Sequence, residues 1–282
     1  LGAGKHVYGE KPLAVTRQEA RPILEAAAQA GLRVGCAPDT VLGTGTQTAR
    51  VLLDRGDIGA PVAAAAFFTS PGPEPWHPDP EFYYKPGGGP LLDMGPYYLS
   101  ALVTLIGPIK RVTGRVSRAR QERTVGSGPK QGTTFSVEVD THVTGVLEHE
   151  SGVLTTLVTS FDVWGAKLPR IEIYGSEGTL SVPDPNTFGG DVEVWRAGER
   201  EWTVAPVSGG YANSGRGYGV ADMARAIREG GAHRASGELA YHVLDVMESL
   251  LESGAQGGVP VEVESSVERP EAVPLDATPD VA

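Results

Sequence analysis

Apolar positions in the first third of the chain recur with two different periods. Val7 and Tyr8 form a short apolar pair before Gly9. Leu32 to Ala37 form a second run, apolar enough to be buried on both faces. Between them Ile23, Leu24, Ala27, Ala28 and Ala30 fall at roughly helical spacing. Thr16-Arg17-Gln18-Glu19 precedes this stretch in the form of a capping box. Its Thr16 hydroxyl accepts from the Glu19 N–H, and the Glu19 carboxylate returns to the Thr16 N–H. Gly31 is placed to end the helix in the left-handed conformation, and Pro22 to kink it or delay its start. Strand, crossover helix and strand together predict a parallel pair. A second helix is expected over about Thr46 to Arg55.

From Pro61 the texture changes. Pro61 to Phe68 reads as a strand, Ser70 to Gly89 as a Pro/Gly-rich loop, and Pro90 to Ile106 as a helix. Short alternating segments follow at Arg111–Ala119, Ser136–Leu147, Val153–Phe161, Arg170–Tyr174, Thr179–Val182, Val192–Trp195 and Trp202–Val204. Gly, Ser and Asp separate them, which predicts a mainly antiparallel sheet with a hairpin loop at Ser176-Glu177-Gly178. Two helices close the pattern, about Tyr218 to Glu229 and Gly237 to Glu252. The second carries a stripe of Leu239, Val243, Val246, Met247 and Leu250. The acidic, Pro-rich stretch after Glu264 is expected to be loosely ordered. The expected class is α/β followed by α+β. Residues 1–42 end a parallel sheet, 43–264 form a larger domain with an open, mainly antiparallel sheet flanked by helices, and 265–282 are a tail.

Composition narrows the function. The 282 residues are 40% hydrophobic and 21% charged, ordinary for a globular protein of about two domains. A net charge of -11 argues against nucleic acid or an anionic membrane as partner. No run approaches the roughly 20 apolar residues of a membrane span. Cys36 stands alone, so no intramolecular disulfide can form, which fits a reducing cytoplasm. It reads as a small buried hydrophobe rather than a reactive thiol. The six His show no HxH or HExxH spacing, so no metal site is expected.

Two stretches carry chemistry. Glu10-Lys11-Pro12 follows the first strand, at the carboxyl end where parallel sheets bind ligands. Gly87-Gly88-Gly89-Pro90-Leu91-Leu92-Asp93-Met94-Gly95-Pro96-Tyr97 opens the third helix. Asp93 and Tyr97, four apart, lie on one face of it. Mid-helix Pro96 is costly, about 3 kcal/mol against alanine. The 70–89 loop holds Trp76, His77, Phe82, Tyr83 and Tyr84, aromatic faces suited to the C–H faces of sugars. Trp164, His233 and Arg216 are weaker candidates.

Gly4 to Ala14, with its Glu-Lys-Pro, resembles a segment of the Gfo/Idh/MocA oxidoreductases. Gly87 to Tyr97 is similar to that family's GGG-x-x-x-D-x-G-x-[HY] segment. Ile173 to Leu180 and His233 to Ala240 resemble two further family blocks, so the likeness runs from residue 2 to about 263. The resemblance implies a Rossmann-type sheet in residues 1–42 and hydride transfer between NAD or NADP and a sugar, polyol or related carbinol. It implies Lys11, Tyr97 and Asp93 as catalytic residues and Glu10, Lys11 and Pro12 at the cofactor. Trp76, His77, Tyr84 and Trp164 are the expected substrate contacts, from the aromatic chemistry above. It also implies a homo-oligomer through the large sheet. Tyr97 stands where many relatives have His, as in the glucose–fructose oxidoreductase branch, and Ser100 stands where Asp is common. The family's opening strand and G-x-G-x-x-G are not in the sequence, so the chain is expected to be a fragment that binds no nucleotide by itself. A non-catalytic binding or scaffold protein derived from the family is the second expectation.

Overall fold

A computed structural model of the chain describes residues 1–275 and 277. It opens with β1 (Val7–Gly9), α1 (Arg17–Gln29) and β2 (Val34–Cys36), and β1 and β2 pair in parallel, Val7 opposite Val34. Thr16 caps α1, accepting from Glu19 N at 3.2 Å. The return bond differs from the expected one: the Glu19 carboxylate reaches the N–H of Val15. Helix α1 begins before Pro22 and runs through it. Its end is a Schellman arrangement, with Gly31 at φ 64, Gly31 N bonded to Ala28 O and Leu32 N to Ala27 O.

Helix α2 (Thr44–Arg55) leads into β3 (Pro61–Thr69), and α3 (Gly89–Ile106) follows the aromatic loop. The remaining strands are β4 (Ile109–Ser117), β5 (Glu122–Thr124), β6 (Thr134–Ser136), β7 (His142–His149), β8 (Leu154–Ser160), β9 (Ile171–Gly175), β10 (Gly178–Val182), β11 (Glu193–Arg196), β12 (Thr203–Val204) and β13 (Val261–Glu262). Helices α4 (Tyr218–Glu229) and α5 (Gly237–Ala255) precede β13. Nine strands form one sheet in the order β12-β11-β10-β9-β3-β8-β7-β4-β13. Its pairs are antiparallel except β3 with β8. Helices α3 and α5 cover one face. Leu99, Leu102, Leu105, Leu244, Met247 and Leu250 are fully or almost fully buried there beside Leu147 and Leu157.

Two expectations needed correction. Ser136–Leu147 is not one strand. β6 pairs with β5 in a separate small sheet, and Arg118 holds the carbonyls of Val137 and Glu138 before β7 begins. Alternation continues across the break, so the change of partner leaves no mark in the pattern. The stretch after Glu264 is also not loose as far as it is described. Ser265 N donates to the buried Asp245, and Val273 is fully buried with its N–H on Gln47 Oε1 at 2.8 Å. Buried polar side chains of other elements thus hold a segment whose own composition offers little to pack. No helix among the described residues is long and apolar enough to cross a membrane.

Candidate active site

The carboxyl end of β1 delivers Lys11 to the first turns of α3. Lys11 Nζ donates to Asp93 Oδ1 at 2.8 Å and to the Asp93 carbonyl at 2.5 Å. It also lies 5.3 Å from the centroid of the Tyr97 ring, within cation–π range. The Lys11 and Asp93 side chains keep 16% and 23% of their exposure, so the pair reaches the surface rather than lying in the core. Tyr97 is 6% exposed. The glycines that open α3 let the preceding loop lie close against its start. A side chain at Gly88 would begin 2.5 Å from the carbonyl oxygen of Tyr83, and Gly89 has φ 90. Beneath Lys11, Ser100 lines a small void with Pro12, Pro38, Val243 and Met247.

A second cation closes the other side of Tyr97. Arg216 Nη1 donates to the phenol oxygen at 3.3 Å, Nη2 donates to Asn186 Oδ1 at 2.9 Å, and the guanidinium lies 5.4 Å from the ring centroid. Arg216 precedes α4, whose start is held by Asp39, a 2%-exposed carboxylate in the loop after β2. Asp39 Oδ2 accepts from Gly217 N at 2.9 Å and Gly219 N at 3.0 Å. Sequence reasoning ranked Arg216 low and missed Asn186. Neither stands in a recognisable pattern, and the contact spans 119 residues.

The aromatic loop divides. Tyr83 stacks on Phe82 at 4.2 Å and meets His77 and Trp76 edge to face at 5.4 and 6.3 Å. Burial raises the Tyr83 phenol's pKa, and Asp93 and Tyr97 add to the shift. Trp76 is 65% exposed at the outer end of this cluster. Tyr84 corrects the expectation of a sugar contact. It is fully buried, its hydroxyl donates to Glu74 Oε2 at 2.6 Å, and Arg123 stacks on its ring. Arg123 also binds Glu74 and Asp162, tying the loop to the sheet. Trp164 stands largely exposed in the loop after β8.

Glu10 is exposed and its carboxylate accepts from Lys11 N at 3.3 Å. Cys36 is buried at the end of β2, its thiol 3.5 Å from the Glu10 carbonyl. Burial and the Glu10 charge push that thiol up to about 12, so it stays protonated. His233 is tied to the Val34 carbonyl at 3.0 Å.

Residues 46–181 match the GFO/IDH/MocA C-terminal domain. The dTDP-3,4-didehydro-2,6-dideoxy-alpha-D-glucose 3-reductase of Streptomyces antibioticus is 30% identical over 250 residues, 86% of this chain and 67% of that protein. The chain belongs to the Gfo/Idh/MocA family. The family is one of nicotinamide-dependent sugar oxidoreductases. An NAD binding oxidoreductase from Klebsiella pneumoniae superposes with a TM-score of 0.77 at 26% identity, covering 94% of this chain and 75% of that one. Levoglucosan dehydrogenase in complex with NADH and L-sorbose shares the fold, with a TM-score of 0.73 at 22% identity over 94% of this chain and 75% of that one.

Proposed function

We propose that this chain serves hydride transfer between a nicotinamide, NAD or NADP, and a carbon bearing oxygen in a sugar, polyol or related compound. The observation that carries the reading is the convergence of Lys11 and Tyr97, an ammonium and a phenol side by side at the carboxyl end of a parallel strand. When bound, the nicotinamide supplies or accepts the hydride. Glu10 to Pro12 suit its nicotinamide end, because the backbone at Gly9 faces open space, with nothing within 4 Å of where a side chain would start. The described residues hold no G-x-G-x-x-G turn for a pyrophosphate, so the reading gives this chain the nicotinamide and substrate side of the site.

In reduction Tyr97 gives its proton to the substrate oxygen, and in oxidation it takes the proton back. Lys11 donates to the same oxygen and stabilises the alkoxide as it forms. Asp93 fixes the lysine by a charge-assisted hydrogen bond. Tyr83, His77 and Trp76 supply an aromatic wall for the sugar's C–H face. The sheet face away from α3 and α5, with Val146 and Leu154 exposed, supports pairing with a second copy. The test is NADH- or NADPH-linked turnover of a keto-sugar by a form extended upstream to carry a G-x-G-x-x-G segment. Tyr97→Phe is expected to cut it by about a hundredfold or more, and near-normal turnover removes Tyr97 from the reaction.

A further inference from the structure

We infer that the substrate of this site carries an oxyanion, a phosphate or a carboxylate, and that Arg216 is the residue that selects it. The inference rests on the reading of the Lys11–Tyr97 pair as a sugar site. The surroundings of Tyr97 are unevenly charged. Asp93 neutralises Lys11 at 2.8 Å, whereas Arg216 meets two neutral groups, the Tyr97 phenol and the Asn186 amide. The carboxylates next to it in the fold, beside Gly217 and beside Asn186, are committed elsewhere. Asp39 serves the N–H groups of Gly217 and Gly219, and Asp184 serves the N–H of Asn186 and the guanidinium of Arg170. Among the described residues no carboxylate pairs with Arg216. One positive charge is therefore left over where the substrate would sit.

The shape of the group decides what could use that charge. A guanidinium presents five N–H donors in a planar fork that matches a phosphate or carboxylate edge. Two contacts are made here and the residue is otherwise exposed, so donors remain free. The contact to the phenol, at 3.3 Å and to a neutral acceptor, is weak beside a bidentate bond to an oxyanion. An anionic sugar would draw Arg216 off Tyr97, leaving the phenol oxygen to the reacting oxygen of the substrate. A neutral sugar offers no such exchange. Because the guanidinium starts against the phenol, the anion belongs on the reacting sugar or its first substituent.

The test is calorimetric titration of the full chain, without and with NADH, using glucose 1-phosphate, glucuronate and glucose. Both anions are expected to bind about tenfold tighter than glucose. Arg216→Gln should erase that preference and Arg216→Lys keep part of it. A phosphate preferred over the carboxylate names the source as a sugar phosphate, and the reverse names a sugar acid. Equal binding of all three, or a preference that survives Arg216→Gln, overturns this inference and leaves the sugar-site reading standing. Binding of none of them overturns both.

Discussion

Asp39 seats the segment that carries Arg216, and replacing it gives a prediction whose size follows from the structure. Its buried carboxylate accepts from Gly217 N and Gly219 N, the two amides that open α4 and carry Arg216. The caps of α4 include no side-chain bond of the helix's own N-cap residue. Asp39→Ala removes both bonds. Hydrogen bonds to charged groups contribute about 1.5 to 3 kcal/mol each. Gly217 is exposed and recovers water, whereas Gly219 is buried and does not, so the loss is nearer one such bond than two. The expected destabilisation is about 2 to 3 kcal/mol, within the range for a lost helix cap plus a stranded amide. In a chain of this size that is roughly a 4 to 6 °C fall in Tm. Asp39→Asn keeps an acceptor oxygen and should lose about half as much. Urea unfolding gives the free energy, and hydrogen exchange at Gly217 and Gly219 reports the site directly. The reasoning is refuted if Asp39→Ala stays within about 0.5 kcal/mol of wild type and exchange at both glycines is unchanged.

His149 is fully buried, its ring nitrogens bonded to the Gly107 carbonyl and the Thr155 hydroxyl, and burial holds its pKa down to about 4. Between about pH 6.5 and 4 the unfolded chain takes a proton that the native ring refuses, so stability is full above that window and falls as pH drops through it, by about 3 kcal/mol in total. The His149 Hε1 resonance should not titrate above about pH 5, and a midpoint near 6.5 contradicts the buried neutral ring. The Cys36 thiol should resist alkylation near pH 8 in the native protein and react on unfolding, as followed by mass spectrometry. Rapid native labelling would contradict its protonated, buried state. Arg123→Met leaves Glu74 and Asp162 without their buried cation and should destabilise the chain by about 3 to 5 kcal/mol in urea unfolding, and a neutral result would show that the network holds nothing.

Local signals were legible where one residue type meets one backbone need. Thr16 before α1, Gly31 after it and the glycines before α3 were readable because capping and close approach depend on near neighbours. Lys11, Asp93 and Tyr97 were legible as candidates because a strand end and a four-residue helical spacing fix where those side chains emerge. Arg216 was not, since what brings it to Tyr97 is the seating of α4 on Asp39, a bond across 178 residues, and Asn186 was not, since it meets the site only through Arg216. Tyr84 misled for a related reason. An aromatic in a Pro-rich loop reads alike whether it faces in or out, and here the buried Arg123–Glu74 pair turns it inward. The segment 265–275 was read as loose because its order comes from Asp245, Gln47 and Arg234, side chains of other elements.

A crystal structure with a bound nicotinamide cofactor and a keto-sugar tests the central claim most directly. The account predicts a single substrate oxygen within about 3.2 Å of both the Tyr97 hydroxyl and Lys11 Nζ. A sugar bound elsewhere, or one whose reacting oxygen touches neither group, contradicts it.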